Sequence, residues 1–277
     1  MINPNQINIR LLFSVKDILL SRGFKLLSEN DLNDTLISGN YNETIDNHKL
    51  FNSLFQIFHS VTLRNELLRF IENNTEPKNH IVSDLVKSER FLPERHLFSN
   101  SFEWFIGELM VRKFSAFSYS FGTRINEVLR NSDDGNVGDY DTLVVQRNTN
   151  LIYFECKTGR YDRRAIMKSI ERSISLHTEF IVFFIMGSIN ETKLSDCLIN
   201  ADYPNFKNPR LLKVNIKTSD VSIYKWHNCY FISGEENIEE QLRTVLRINQ
   251  AKKIMVLYQT EIEDNLYSSL GYHIEEI

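Results

Sequence analysis

The chain has 277 residues, 42% of them hydrophobic and 25% charged, enough to bury a sizeable core as one large domain or two smaller ones. Lys and Arg number 32 against 36 Asp and Glu, a formal charge of -4, so a polyanionic partner would have to be met by basic residues gathered on one face. The 3 cysteines, Cys156, Cys197 and Cys229, are odd in number and widely spaced, which excludes a disulfide framework and a paired zinc site and points to a reducing cytoplasm.

The first stretch, MINPNQINIRLLFSVKD, interrupts its apolar residues with Arg10 and Lys16 and lacks the apolar core of a signal peptide. No later run reaches membrane-spanning length, so a cytoplasmic protein without membrane association is expected. In such a compartment the Asn-x-Thr triplets at Asn42 and Asn190 carry no information. Leu11, Leu12, Val15, Ile18 and Leu19 predict an amphipathic helix ending before Gly23. Leu50, Leu54, Phe55, Phe58 and Val61 repeat the pattern, as do Leu63, Leu67, Leu68 and Ile71, with polar clusters such as Asn73-Asn74-Thr75-Glu76-Pro77 between helices. Residues 1–97 therefore read as a helical N-terminal region, a candidate surface for a partner protein or a second copy.

After Pro93 the pattern changes. The helix SFEWFIGELMVRKF precedes runs that read as strands, TLVVQ, LIYFE, FIVFFIM, LLKVNI and CYFIS. Helical spacing returns from Tyr161 to Leu176 and from Glu235 to Asn249. Residues 98–277 are expected to form an α/β domain, a mixed sheet covered by helices, with FIVFFIM as a central strand because it is apolar on both faces. Trp104 and Trp226 sit among apolar residues and read as core.

Within this region GDYDTLVVQRNTNLIYFECKTG, Gly138 to Gly159, places charge at both ends of an apolar hairpin. Strand alternation puts Leu151, Tyr153, Glu155 and Lys157 on one face. Asp141 reaches that face only if the connecting loop has an odd number of residues. Pairing Gln146 with Asn150, or Arg147 with Leu151, satisfies this, each with a three-residue turn in which an Asn can take positive φ. Two close carboxylates repel, and a hard divalent ion such as Mg²⁺, held by one or two carboxylates with waters and phosphate oxygens, relieves the repulsion. Lys157 would orient or help deprotonate an attacking water, or neutralise phosphate charge. The same residues also read as a surface ion pair of Lys157 with Glu155 or Asp141, worth ~0–1 kcal/mol.

The G-D-x-D strand, the hairpin and E-C-K-T-G resemble motifs II and III of the PD-(D/E)XK nuclease superfamily, which includes type II restriction enzymes, Mrr-like enzymes and CRISPR ancillary nucleases. The resemblance implies a restriction-endonuclease-like αβα core with a central mixed sheet. By the same likeness Asp141 is the metal-binding Asp, Glu155 and Lys157 form the E-x-K pair, and Cys156 turns its backbone carbonyl to the metal while its side chain packs in the core. Asp139 fits less well, because it does not directly precede the apolar strand. FEWFIGELMVRKF is similar to the family's F-E-x-x-(V/I)-x-x-L-(L/M) helix, which makes Glu103 a further acid at the metal. Glu108 is its competitor under the alternative W-L-E-x-x-V form; the two lie about 140° apart around a helix and cannot both face one ion. The likeness covers Ser101 to Met186 and departs from the simplest pattern in having Asp139-Tyr140-Asp141 for Pro-Asp. It implies a Mg²⁺- or Mn²⁺-dependent endonuclease of prokaryotic antiviral defence, acting on DNA before RNA. An RNase, a nuclease switched on by a ligand or partner, and a catalytically decayed nucleic-acid-binding module are the alternatives.

Arg160, Arg163, Arg164, Lys168 and Arg172 follow the hairpin, several along one side of the helix that carries Ile166, Ile170 and Ile174, and are candidates to hold phosphates. Arg124 and Arg130 are weaker candidates that could equally pair with Glu127 or Asp133. The 7 histidines never fall at zinc-ligand spacing, and no G-x-x-x-x-G-K-[ST] or G-x-G-x-x-G loop is present, which excludes a nucleotide motor.

Overall fold

The structure, a computed structural model, describes residues 14–37, 45–127, 136–147, 149–199, 210–216, 221–257, 266–268 and 270–277. The chain divides into two compact units, Met1–Cys156 with Glu171–Glu179, and Lys157–Ile170 with Phe180–Ile277.

The first unit begins with helix α1 (Val15–Ser21), capped by Ser14, whose hydroxyl accepts from the Asp17 N–H at 3.1 Å. Leu11 and Leu12 of the expected helix lie outside the described residues. Gly23, at φ 84°, turns the chain into strand β1 (Phe24–Ser28), inside the stretch expected to be helical. Only Phe24 of this edge strand is buried, so five residues carry no period by which sequence could distinguish it from a helix. Helices α2 (Ile45–Phe58) and α3 (Val61–Asn73) follow, as the apolar spacing predicts, then α4 (His80–Val86) and α5 (Arg95–Phe114). They close over an aromatic cluster: the Phe58 ring lies 5.1 Å from both Phe102 and Phe105 and 5.7 Å from Phe98. The buried Arg64 guanidinium donates to the Phe58 carbonyl at 2.7 Å, satisfying an acceptor at the end of α2.

Strands β2 (Ser118–Glu127), β3 (Asn136–Val145) and β4 (Leu151–Lys157) complete this unit's sheet, in the order β1-β2-β3-β4 and antiparallel throughout. The last residue of β4, Lys157, opens the second unit. Sequence patterning did not reveal β2, because Gly122 and Arg124 interrupt it. Gly122 takes φ 54°, and a Cβ there would lie 2.2 Å from the Asn30 side chain, so a glycine is required twice over.

The second unit contains most of helix α6 (Arg163–Ser175), helices α7 (Glu191–Leu198) and α8 (Ile238–Leu257), and strands β5 (Ile181–Ile185), β6 (Leu211–Ile216), β7 (Ser222–Trp226), β8 (Cys229–Ser233) and β9 (Tyr272–Glu276). Its sheet runs β5-β8-β7-β6-β9, with β5 and β8 parallel and the remaining neighbours antiparallel. The protein is thus α/β with mixed strand pairing, as expected. Every residue of β5 is buried, which accounts for its unbroken apolar run. Trp104 and Trp226 are core residues, 2% and 1% exposed. Asn190 caps α7, accepting from the Lys193 N–H at 2.8 Å. Among the described residues no helix is long and apolar enough to cross a membrane.

Candidate active site

The β3–β4 hairpin pairs Val145 with Leu151, Val144 with Ile152, Leu143 with Tyr153 and Thr142 with Phe154. The Gln146 N–H donates to the Asn150 carbonyl and the Thr149 N–H to the Gln146 carbonyl, each at 2.9 Å, leaving residues 147–149 as the loop. This is the first of the two registers that the odd-loop condition allows. The residue with positive φ is Thr149, at 64°, rather than an Asn, because the last position of such a loop takes the left-handed conformation. Asn148 lies outside the described residues.

The ladder ends at Thr142 and Phe154, one residue short of Asp141 and Glu155. At this point the ladder gives way to a side chain: the Cys156 N–H donates to Asp141 Oδ2 at 2.7 Å. A residue's N–H and C=O point to the same neighbouring strand, so the Cys156 backbone addresses the β3 side. The Cys156 side chain is buried, as expected.

Glu155 is 3% exposed and accepts a hydrogen bond from the Tyr153 hydroxyl. Burial first, and then the Glu155 and Asp141 carboxylates, push the Tyr153 phenol well above its ordinary value, so it remains a donor. Arg172 departs from its expected place on a phosphate-holding face. It is half-buried, with its guanidinium 5.6 Å from the centre of the Tyr140 ring. Burial alone would lower its pKa, but Tyr153 and Glu155 more than reverse that.

Glu103 and Asp141 line one cavity of about 510 Å³, together with Asn100, Glu29, Asp139 and Arg124. The Thr142 hydroxyl donates to the Glu103 carbonyl at 2.9 Å, fastening α5 to β3 beside Asp141. Asp139 is exposed and ion-paired with Arg124 at 2.9 Å, so Arg124 has a partner other than Glu127 or Asp133. Glu108 does not line this cavity; it accepts from Tyr119 at 2.8 Å and pairs with Arg112 at 2.5 Å.

Among the described residues no three His, Cys, Asp or Glu side chains converge as a metal cluster. Glu103 shares a cavity with Asp141, and Glu155 shares its strand register, but the three do not form one group. The carboxylates nearby are hard oxygen donors, the kind that Mg²⁺ or Mn²⁺ takes together with several waters rather than in a closed protein cage.

Lys157 follows Glu155 by two residues on β4 and is partly buried; its carbonyl accepts from the Met186 N–H at 2.8 Å. In the second unit Arg160, Arg163, Arg164 and Lys168 are all exposed, as candidates for phosphate contact must be. Arg163 also donates to the Ile199 carbonyl at 3.1 Å. Arg130 lies outside the described residues. Sequence reading missed Tyr153 as a partner of Glu155, although its place two residues earlier on the same strand face was signal enough. Nothing in the sequence announced the inward turn of Arg172, or Glu29 and Asn100 at the cavity.

No family model and no curated protein matches the chain. Among solved structures it is similar to protein VC1899 from Vibrio cholerae, at 12% identity and a TM-score of 0.44, over 85% of this chain and 60% of that one. It is also similar to Can2 from Sulfobacillus thermosulfidooxidans, solved in complex with cyclic tetra-adenylate (cA4), at 14% identity and a TM-score of 0.40, over 69% of this chain and 58% of that one. The chain therefore spans about three fifths of the length of each, and the likeness is one of fold outline alone.

Proposed function

We propose that the protein is a divalent-metal-dependent phosphodiesterase that cleaves nucleic acid, DNA before RNA, with prokaryotic antiviral defence as the setting that its motifs suggest. The observation that supports the reading is the hairpin, whose odd loop and register end at Thr142 and Phe154, beside Asp141 and Glu155, with the Cys156 N–H bonded to Asp141. Asp141, Glu155 and the Cys156 carbonyl would hold Mg²⁺ or Mn²⁺, and Glu103, across the same cavity as Asp141, would act through waters or complete the shell. When bound, the ion would lower the pKa of a water and offset charge on the phosphate. Lys157, on the Glu155 face by strand alternation, would orient that water or neutralise the phosphate. Arg160, Arg163, Arg164 and Lys168 would grip the backbone phosphates, a sequence-independent contact that weakens steeply with salt.

Purified protein is expected to cut DNA in Mg²⁺ or Mn²⁺ and to lose that activity in a chelator. Failure to cut either DNA or RNA, with Lys157→Ala leaving any biological effect intact, would sink the reading; cleavage of RNA alone would reassign its substrate. The two helix acids separate in the same assay. Glu103→Gln is expected to slow cleavage, whereas Glu108→Gln should leave the rate unchanged and lower stability by about 1 kcal/mol through its bonds to Tyr119 and Arg112. The opposite pattern would give the role to Glu108.

A further inference from the structure

Tyr153 and Arg172 have no role in the reading above, yet both lie against its carboxylates. Tyr153 is fully buried and gives its hydroxyl proton to a Glu155 oxygen. Its ring meets Tyr140 edge to face at 5.2 Å, and Tyr140 in turn supports the Arg172 guanidinium. That guanidinium lies near enough to act electrostatically on Tyr153 and Glu155. All of these residues belong to the first unit.

Donor and acceptor chemistry gives this chain a direction. An ionised carboxylate has only acceptors, so the Tyr153 hydroxyl donates to Glu155, and a guanidinium beside the pair offsets part of its negative charge. A buried hydrogen bond of this kind is strengthened by its low-dielectric surroundings.

We infer that Tyr153 and Arg172 are positioning residues for the metal: Tyr153 holds one Glu155 oxygen and leaves the other for the ion, while Arg172 balances part of the carboxylate charge before the ion enters. The inference rests on the reading of Asp141 and Glu155 as metal ligands. Groups that orient a ligand in this way change metal affinity by about 10–100-fold.

The test is Mn²⁺ affinity of the full chain, measured by loss of the free-ion electron paramagnetic resonance signal, for the wild type, Glu155→Gln, Tyr153→Phe and Arg172→Lys. Wild-type binding that Glu155→Gln abolishes, with Tyr153→Phe weaker by about 10-fold and DNA affinity without metal unchanged, is the expected result. If the wild type binds no Mn²⁺, or Glu155→Gln binds as the wild type does, the underlying metal reading falls. If Glu155→Gln loses the ion while Tyr153→Phe and Arg172→Lys bind it as the wild type does, the positioning role is overturned and the metal reading stands. Metal-free unfolding shows whether Tyr153→Phe folds; should it not, Arg172→Lys decides, with weakened affinity supporting the role and wild-type affinity overturning it.

Discussion

Asp141→Asn is expected to slow phosphodiester cleavage by about 10²–10³-fold while leaving the fold almost untouched. The asparagine side-chain oxygen still accepts from the Cys156 N–H, so the bond that replaces the ladder at 2.7 Å survives and only the negative charge is lost. Asp141→Ala removes charge and acceptor together. It should therefore lose the same activity and, in addition, about 1–3 kcal/mol of stability for the part-buried N–H left unpaired. Single-turnover cleavage and thermal unfolding of the two variants separate the chemical role from the structural one. Wild-type cleavage by Asp141→Asn would remove Asp141 from the metal site.

Gly107→Ala should destabilise the protein by about 1–3 kcal/mol, against the preference of Ala over Gly inside a helix, which is worth about 1 kcal/mol in the other direction. A Cβ at Gly107 would lie 2.1, 2.5 and 2.6 Å from three atoms of the Tyr119 ring. That ring cannot swing aside cheaply, because its hydroxyl is bonded to Glu108 at 2.8 Å. Nor can α5 retreat, since Phe102 and Phe105 are packed against Phe58 on the helical side. For a chain of this size each kcal/mol lowers the unfolding midpoint by about 2–4 °C. Glu103 lies one turn before Gly107, so cleavage should fall as well. A midpoint at or above that of the wild type would show that the helix and sheet part without strain.

Both expectations draw on features whose legibility differs. The hairpin was open to sequence because its information is local: period-two alternation fixes which residues share a face, and loop parity fixes whether two strands agree. Asp141, Glu155 and Lys157 were named on that basis, and the odd loop follows the same logic. Helices α1, α2 and α3 were visible for a similar reason, since each carries an apolar stripe, whereas the short α4, with only Val82 and Leu85 buried, was not. Helix α5, by contrast, is buried on several sides and shows no clean stripe, so Glu103 and Glu108 could be told apart only by what each touches. Strands β2 and β9 were missed because a glycine or charged residues break their alternation, and their pairing comes from distant partners.

By itself, then, the sequence determined the α/β class and the hairpin with its odd loop, because alternation and turn length act over a few residues. Tertiary structure alone decided that Glu103 meets the Asp141 cavity, that Glu108 is tied to Tyr119 and Arg112, and that Arg172 turns inward to Tyr153 and Glu155. The physical reason is that these contacts join residues far apart in the chain, where packing and donor–acceptor matching govern and no local period carries the information.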